Sequence, residues 1–248
     1  VFQWQWKEDF FPECDQFNGI HEGLVQSWKD IFPKKGEIHF AGALENNEDT
    51  GTLQYLASTA MEAGFSTRVL DMQALDLQNG RFFDPAGELV NRCFKLYPWE
   101  WMVDESPDGC LAEMEWLEPI WKLVMSNKAI LATLYELFPD SPYVLPCYLS
   151  RPRSGLFCKK PIFSREGHNV SVVDIRDWEE YVRIAETEGD YNTGAYVYQE
   201  YVEPTAYSGR YPVIGSWIIG GEAAGIGIRE NRMEVTDNLS EFVPHIIG

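Results

Sequence analysis

The chain has 248 residues, 45% of them hydrophobic and 14% aromatic, and carries a net charge of −19 at pH 7. That is enough material for a core in one large domain or two small ones, and it excludes a disordered segment. The charge excludes nucleic acid, whose phosphates would be repelled, and is compatible with plain solubility or with a cationic small substrate.

VFQWQWKEDFF (1–11) has neither a basic n-region nor a small-residue cleavage site, so it does not read as a signal peptide. It also lacks an initiator Met, which predicts processing or a start partway along a longer protein. DQFNGIHEGLVQSWKDIF (15–32) spaces Ile20, Leu24, Trp28, Ile31 and Phe32 as a helix does, with Pro33 and Gly36 ending it. EIHFAGAL (37–44) reads as a strand. TGTLQYLASTAMEAG (50–64) reads as a helix with a Thr cap, and FSTRVLDM (65–72) as the next strand. Strand, helix, strand at this spacing predicts a βαβ unit and a parallel sheet. LAEMEWLEPIWKLVMSN (111–127) and KAILATLYELF (128–138) predict two further helices, with Pro119 bending or starting one.

After a Pro- and Ser-rich stretch (139–155) the texture turns to strands: LFCKKPIF (156–163), VSVVDI (170–175), AYVYQEYVE (195–203), YPVIGSWIIGG (211–221) and EAAGIGIREN (222–231). DWEEYVRIAETEG (177–189) reads as a short helix among them. The expected division is 1–140, an α/β substrate-binding part, and 141–248, a mostly antiparallel nucleotide-binding part.

No apolar run reaches 18 residues, so no membrane-spanning helix is predicted. The five cysteines (Cys14, Cys93, Cys110, Cys147, Cys158) are odd in number, widely spaced and lack a CxxC pair. They indicate neither a zinc ribbon nor a disulfide framework, and they suit a reducing, cytoplasmic compartment. The four histidines have no HExxH spacing, and no metal ligands are expected among these residues.

Five stretches could carry chemistry. KKPIFSREGHNV (159–170) sets two lysines before a turn containing Ser164, Arg165 and Gly167. Such a hairpin can cover phosphates with backbone N–H groups and a guanidinium, with Lys160 as a point charge; the same pattern also suits a solvated tip. AYVYQEYVEP (195–204) can hold a base along its edge, where the Gln199 amide offers donor and acceptor; it also suits an ordinary amphipathic strand. GGEAAGIGIREN (220–231) permits close backbone approach and ends near Arg229, which could stabilise a transferred phosphoryl group; a tightly packed interior hairpin has the same composition. In SNKAILATLYELFP (126–139), Lys128 falls in the first turn of a helix, where a cation opposes the dipole unless an anion sits there. ENNEDTGT (45–52) gathers Glu45, Glu48 and Asp49 at a strand end, where ligands of parallel sheets bind and an ammonium group would be received.

The order of these weak elements is specific, and it resembles the plan of an ATP-grasp ligase. The chain resembles the synthetase domain of the glutathionylspermidine synthetase family. The resemblance rests on KLYPWEWM (95–102), NKAIL (127–131), KPIFSREGHNV (160–170), YVYQEYVEP (196–204), YPVIGSWIIGGEAAGIGIREN (211–231) and FVPHII (242–247). It implies a mixed α/β, ATP-grasp-like fold. It also implies a reaction: ATP phosphorylates a carboxylate, peptide or glutathione-like, and an amine or polyamine attacks the acyl phosphate to form an amide. It implies that Lys128, Lys160, Ser164 and Gly167 contact nucleotide, that Arg165 lies near the phosphates, and that Gln199, Glu200 and Tyr201 form the adenine edge. Arg229 would contact the transferred phosphate, and Glu48 and Asp49 the amine. In the family an Arg-x-Asp and a Glu-x-Asn-Ala-Asp segment supply Mg2+ ligands and part of the phosphate site; neither occurs at this N-terminus. By that comparison the chain is expected to be a C-terminal fragment, inactive alone, with its magnesium ligands mainly upstream. The alternative is a degenerate, non-catalytic nucleotide-binding relative. A carbohydrate-acting protein, suggested by the nine tryptophans and many carboxylates, ranks last because Trp28 and Trp116 sit at core spacing.

Overall fold

The computed structural model describes residues 2–177, 181–191, 194–235 and 240–248. In chain order the helices are α1 (Phe2–Phe10), α2 (Ile20–Ile31), α3 (Asn47–Glu62), α4 (Trp99–Glu105), α5 (Pro107–Cys110), α6 (Leu123–Ser126) and α7 (Ala129–Leu137). The strands are β1 (Glu37–Gly42), β2 (Ser66–Asp71), β3 (Asp76–Gln78), β4 (Arg81–Phe83), β5 (Leu89–Val90), β6 (Arg92–Leu96), β7 (Glu115–Leu117), β8 (Cys147–Tyr148), β9 (Gly155–Pro161), β10 (Ser171–Ile175), β11 (Tyr181–Glu186), β12 (Tyr196–Glu200), β13 (Tyr211–Ile219), β14 (Glu222–Asn231) and β15 (Glu241–Val243). The fold is mixed α/β. Two compact units divide it, one built mainly from 15–123 and the other mainly from 124–215 and 227–248.

The first unit holds a parallel sheet of order β2-β1-β6-β7. β1 is buried at almost every position, as a strand covered on both faces must be, and α3 makes the crossover to β2. On one face Trp28 stacks edge-on against Phe40, with ring centroids 5.6 Å apart, and α2 and α3 complete the layer with Leu53, Leu56 and Ala60. The Trp28 Nε1–H donates to Thr59 Oγ1 at 2.9 Å, so the large ring is buried without an orphaned donor. On the other face Phe82, Trp99 and Trp116 form a second cluster. Gly42 is required where β1 ends: a Cβ there would meet Leu53 Cδ1 at 2.9 Å and the Leu96 carbonyl at 3.0 Å. The outer part of the β13–β14 hairpin belongs to this unit, and Gly225 packs its backbone onto the Phe17 carbonyl and Ile20. The small residues of that hairpin do permit a close approach.

The second unit is built on an antiparallel sheet of order β11-β10-β9-β12-β8. Its two faces follow from strand alternation. Phe157, Val173, Ile175 and Tyr198 cluster on one face; Cys147 and Val197 lie on the other, under Ala132 of α7.

Three expected elements differ. Residues 111–127 do not form one helix: Glu115–Leu117 is a strand that pairs with β6, which seats Trp116 in the core, and Pro119 opens a 3-10 turn at Ile120–Lys122. Of 177–189, residues 178–180 lie outside the described residues, and Tyr181–Glu186 is an edge strand on β10 rather than a helix. Its Tyr-Val-Arg-Ile run suits a pleated surface better than a helix. The cap of α3 is Asn46, whose side chain accepts from Glu48 N, so the helix starts ahead of Thr50.

Candidate functional site

In the second unit, strand alternation decides which lysine does what. Lys160 pairs in register with Val197, and Lys159 with Tyr198, so their side chains leave on opposite faces of the sheet. Lys159 places its ammonium over the Tyr196 ring, 3.9 Å from the centroid. Lys160 turns to the α7 face and donates to Gln199 Oε1 at 2.7 Å. Two thiols share that face. Burial pushes both Cys147 and Cys158 up, and the Lys160 charge pulls each back down. All five cysteines are free thiols.

The predicted hairpin is present: β9 and β10 pair antiparallel from Lys159–Ser171 back to Gly155–Ile175. Its tip bends through left-handed backbone at Glu166, Gly167 and Asn169, with Gly167 at φ 71°. Outside contacts hold the tip. The Thr187 hydroxyl donates to the Gly167 carbonyl and accepts from Val170 N at 3.0 Å, and Tyr191 N donates to Asn169 Oδ1 at 2.7 Å. Lys128 ties the start of α7 to the tip. Its Nζ donates to the Ser164 carbonyl and to Ser164 Oγ at 3.0 Å, while its backbone N–H donates to Ile162 O at 2.8 Å. The structure therefore joins Lys128 with Ser164, and Lys160 with Gln199. Arg165 is exposed at the tip.

At the expected base edge, the backbone donors are already in use. Glu200 N donates to Pro146 O at 2.8 Å and Tyr201 N to Leu156 O at 3.0 Å. The Tyr201 hydroxyl donates to Glu234 Oε2 at 2.5 Å, which holds its pKa well above the ordinary phenol range. β12 lies between β9 and β8 and is not a sheet edge, and the Gln199 side-chain oxygen accepts from Lys160. Arg229 is exposed on β14, opposite Phe242, in a separate three-stranded sheet of order β13-β14-β15.

In the first unit, the carboxyl ends of the parallel strands collect acidic groups. Glu48 and Asp49 lie in the first turn of α3, directly after β1. Asp71 ends β2, and its carboxylate accepts from Leu44 N and Gln73 N. At the end of β6, Lys95 is nearly buried, 3.8 Å from the centroid of Trp99, and donates to Tyr97 O at 2.6 Å. The Tyr97 hydroxyl donates to Glu105 Oε2 at 2.6 Å; burial and that carboxylate push its pKa up to about 12. Sequence reasoning used this stretch only as a family motif. The signal it missed was a lysine inside the alternating apolar run of RCFKL.

A family model described as glutathionylspermidine synthase preATP-grasp matches residues 1–248. The chain belongs to this family. Its mixed α/β architecture is accordingly related to the ATP-grasp fold. A putative acid–amine ligase of Haemophilus influenzae is 35% identical over 99% of the chain and 66% of its own length. Trypanothione synthetase of Crithidia fasciculata is 28% identical over 84% of the chain and 35% of its own length. The bifunctional glutathionylspermidine synthetase/amidase of Escherichia coli is 27% identical over 93% of the chain and 42% of its own length. The chain thus spans between about a third and two thirds of the length of these curated relatives. Among the described residues no helix is long and apolar enough to cross a membrane.

Proposed function

We propose that the protein is an ATP-dependent carboxylate–amine ligase that makes an amide through an acyl phosphate. The observation that carries this is the pair of links on the antiparallel sheet: Lys160 to Gln199 on one strand pair, and Lys128 to Ser164 at the hairpin tip. One ammonium group stands beside the Gln199 amide, which suits a base, and the other beside a Gly-containing turn, which suits phosphates. Membership of the family supports the same reading.

In this reading Lys128 and Lys160 meet the phosphates with the Ser164–Gly167 turn, and Arg165 closes over them. Gln199 and the carbonyls near Glu200 and Tyr201 hold the base. Arg229 stabilises charge on the transferred phosphoryl group. The acceptor is a small carboxylate, peptide or glutathione-like, and the nucleophile an amine or polyamine received by Glu48 and Asp49. The net charge of −19 would draw such a cation. Among the described residues no group of three or more His, Cys, Asp and Glu side chains could hold a metal ion, and Mg2+ would come in with the ATP phosphates. Unpaired thiols suit a reducing compartment such as the cytoplasm.

The test is ADP formation by the purified full-length protein with glutathione and spermidine as probes. The reading expects ADP only when acid and amine are both present, and a large loss in Arg229→Ala. Nucleotide binding without ADP formation, across a panel of acids and amines, would favour a non-catalytic relative.

A further inference from the structure

The parallel sheet of the first unit has a second end. Where β1, β6 and β7 begin lies a cavity of about 710 Å3, whose walls include Glu37, His39, Asn91, Arg92, Glu113 and Glu115. That volume is within the range of small-ligand sites. Its cations are already committed to the protein. Arg92 donates from Nε to Glu115 Oε2 at 2.9 Å and from Nη1 to Lys34 O at 3.1 Å, and its guanidinium covers the Phe32 ring. Lys35 donates to Ala63 O at 2.5 Å. Its carboxylates are only half used. Glu37 accepts from Arg68 through Oε1, Glu113 from Arg81 through Oε2, and Glu115 from Arg92 through Oε2.

A partly paired acidic rim is not by itself a site. The second observation is His39, which forms part of the wall, is 2% exposed, and makes no well-aligned hydrogen bond from either ring nitrogen, its nearest backbone neighbour being Arg92. The nearest carboxylate oxygens, of Glu37 and Asp84, stand 3.7 and 3.9 Å from Nε2, beyond hydrogen-bond reach. A buried imidazole whose acceptor nitrogen is unmet is costly, and a ligand N–H donating to that nitrogen would relieve the cost.

We propose that this cavity is a second ligand site, for a small organic ammonium ion such as a primary amine or diamine. The spare oxygens of Glu37, Glu113 and Glu115 and the Asn91 amide oxygen hold the ammonium group, and an N–H of the ligand reaches the His39 ring. A point-charge metal suits the site less, because the lining carboxylates do not gather into a metal cluster. Occupancy requires neutral His39. The ring faces Glu37 from its own strand, Asp84 from the loop after β4, Arg68 from β2 and the Arg92 backbone from β6. Acid that protonates it would place a second cation against the ligand, so affinity falls as pH drops. This proposal does not depend on the ligase reading, since it concerns the opposite ends of the strands from Glu48 and Asp49.

The test is a titration of the purified protein, its histidines labelled with 15N, with 1,4-diaminobutane at about pH 8, following the His39 ring signals. The signals are expected to shift and saturate. The midpoint should rise roughly tenfold or more in the double variant Glu113→Gln/Glu115→Gln, and stay unchanged in Glu48→Gln/Asp49→Asn. Glu113 and Glu115 are exposed, so that variant should fold. A His39 signal that ignores the diamine, a midpoint indifferent to the Glu113/Glu115 changes, or one moved equally by the Glu48/Asp49 changes would each overturn the proposal. ADP formation is read separately, so failure here leaves the ligase reading standing.

Discussion

Replacing Lys160 by alanine is the sharpest probe of the proposed nucleotide face, because the structure supplies its own control one residue away. Lys160 is half-buried and directed at Gln199; Lys159 is half-buried on the opposite face, over Tyr196. An ammonium about 4 Å from a phosphate, at an effective dielectric of about 20, contributes roughly 4 kcal/mol. To reach phosphate, Lys160 must release the Gln199 amide oxygen, and a charged hydrogen bond contributes about 1.5–3 kcal/mol. The net is about 1–2.5 kcal/mol, or roughly five- to sixtyfold in Kd. Calorimetric titration with a non-hydrolysable ATP analogue reads this directly. Lys160→Ala should weaken binding by that factor, and Lys159→Ala by less than about twofold. Equal losses in both variants, or none in Lys160→Ala, would refute the assignment of faces.

Four further outcomes are expected. Lys160→Ala should also slow iodoacetamide alkylation of Cys158, because the charge that pulls the thiol down is gone, leaving burial to push it up; mass spectrometry of the labelled peptide measures it. Thr187→Val removes the hydroxyl that bridges Gly167 and Val170, and should weaken analogue binding several-fold while costing about 1–2 kcal/mol in urea unfolding. Thr59→Val keeps the shape but orphans the buried Trp28 Nε1–H, and should cost about 1–3 kcal/mol of stability by the same assay. Acid should destabilise the first unit in two windows. Burial holds His39 below its ordinary value of about 6.5, so the unfolded ring binds a proton more readily and stability is lost as pH falls below that value. Asp84, held low chiefly by the Glu88 and Ala86 backbone N–H groups and also by Arg68, adds a second loss below about 3.8. His39→Gln should flatten the first window in thermal melts across pH.

Legibility in the sequence followed the locality of the signal. The βαβ unit could be read because α3 is long and bounded by two apolar runs. The β9–β10 hairpin could be read because a polar, Gly-containing loop separates two apolar runs, and β13–β14 because Gly220 and Gly221 mark the reversal with positive φ. The strand at Glu115–Leu117 could not be read, because three residues carry no period and the flanking Leu111 and Met114 complete a false helical stripe. Tyr181–Glu186 is hidden for a related reason: its preference is for a strand, but a nearby acidic run imitates a helix start. The sequence singles out Lys128 and Lys160 by their positions next to a helix and a turn. Their partners Ser164 and Gln199, 36 and 39 residues away, depend on tertiary pairing that no local pattern encodes. The His39–Asp84–Arg68 grouping is the extreme case, assembled from β1, β2 and the loop after β4.

The central claim is that a carboxylate is activated by phosphorylation before an amine attacks it. The most direct measurement incubates the protein with ATP, spermidine and glutathione labelled with 18O in its carboxylates, then analyses the released phosphate by mass spectrometry. An acyl phosphate intermediate transfers one carboxylate oxygen to phosphate for each amide formed, so the account predicts phosphate carrying a single 18O. Amide formation with unlabelled phosphate would contradict it.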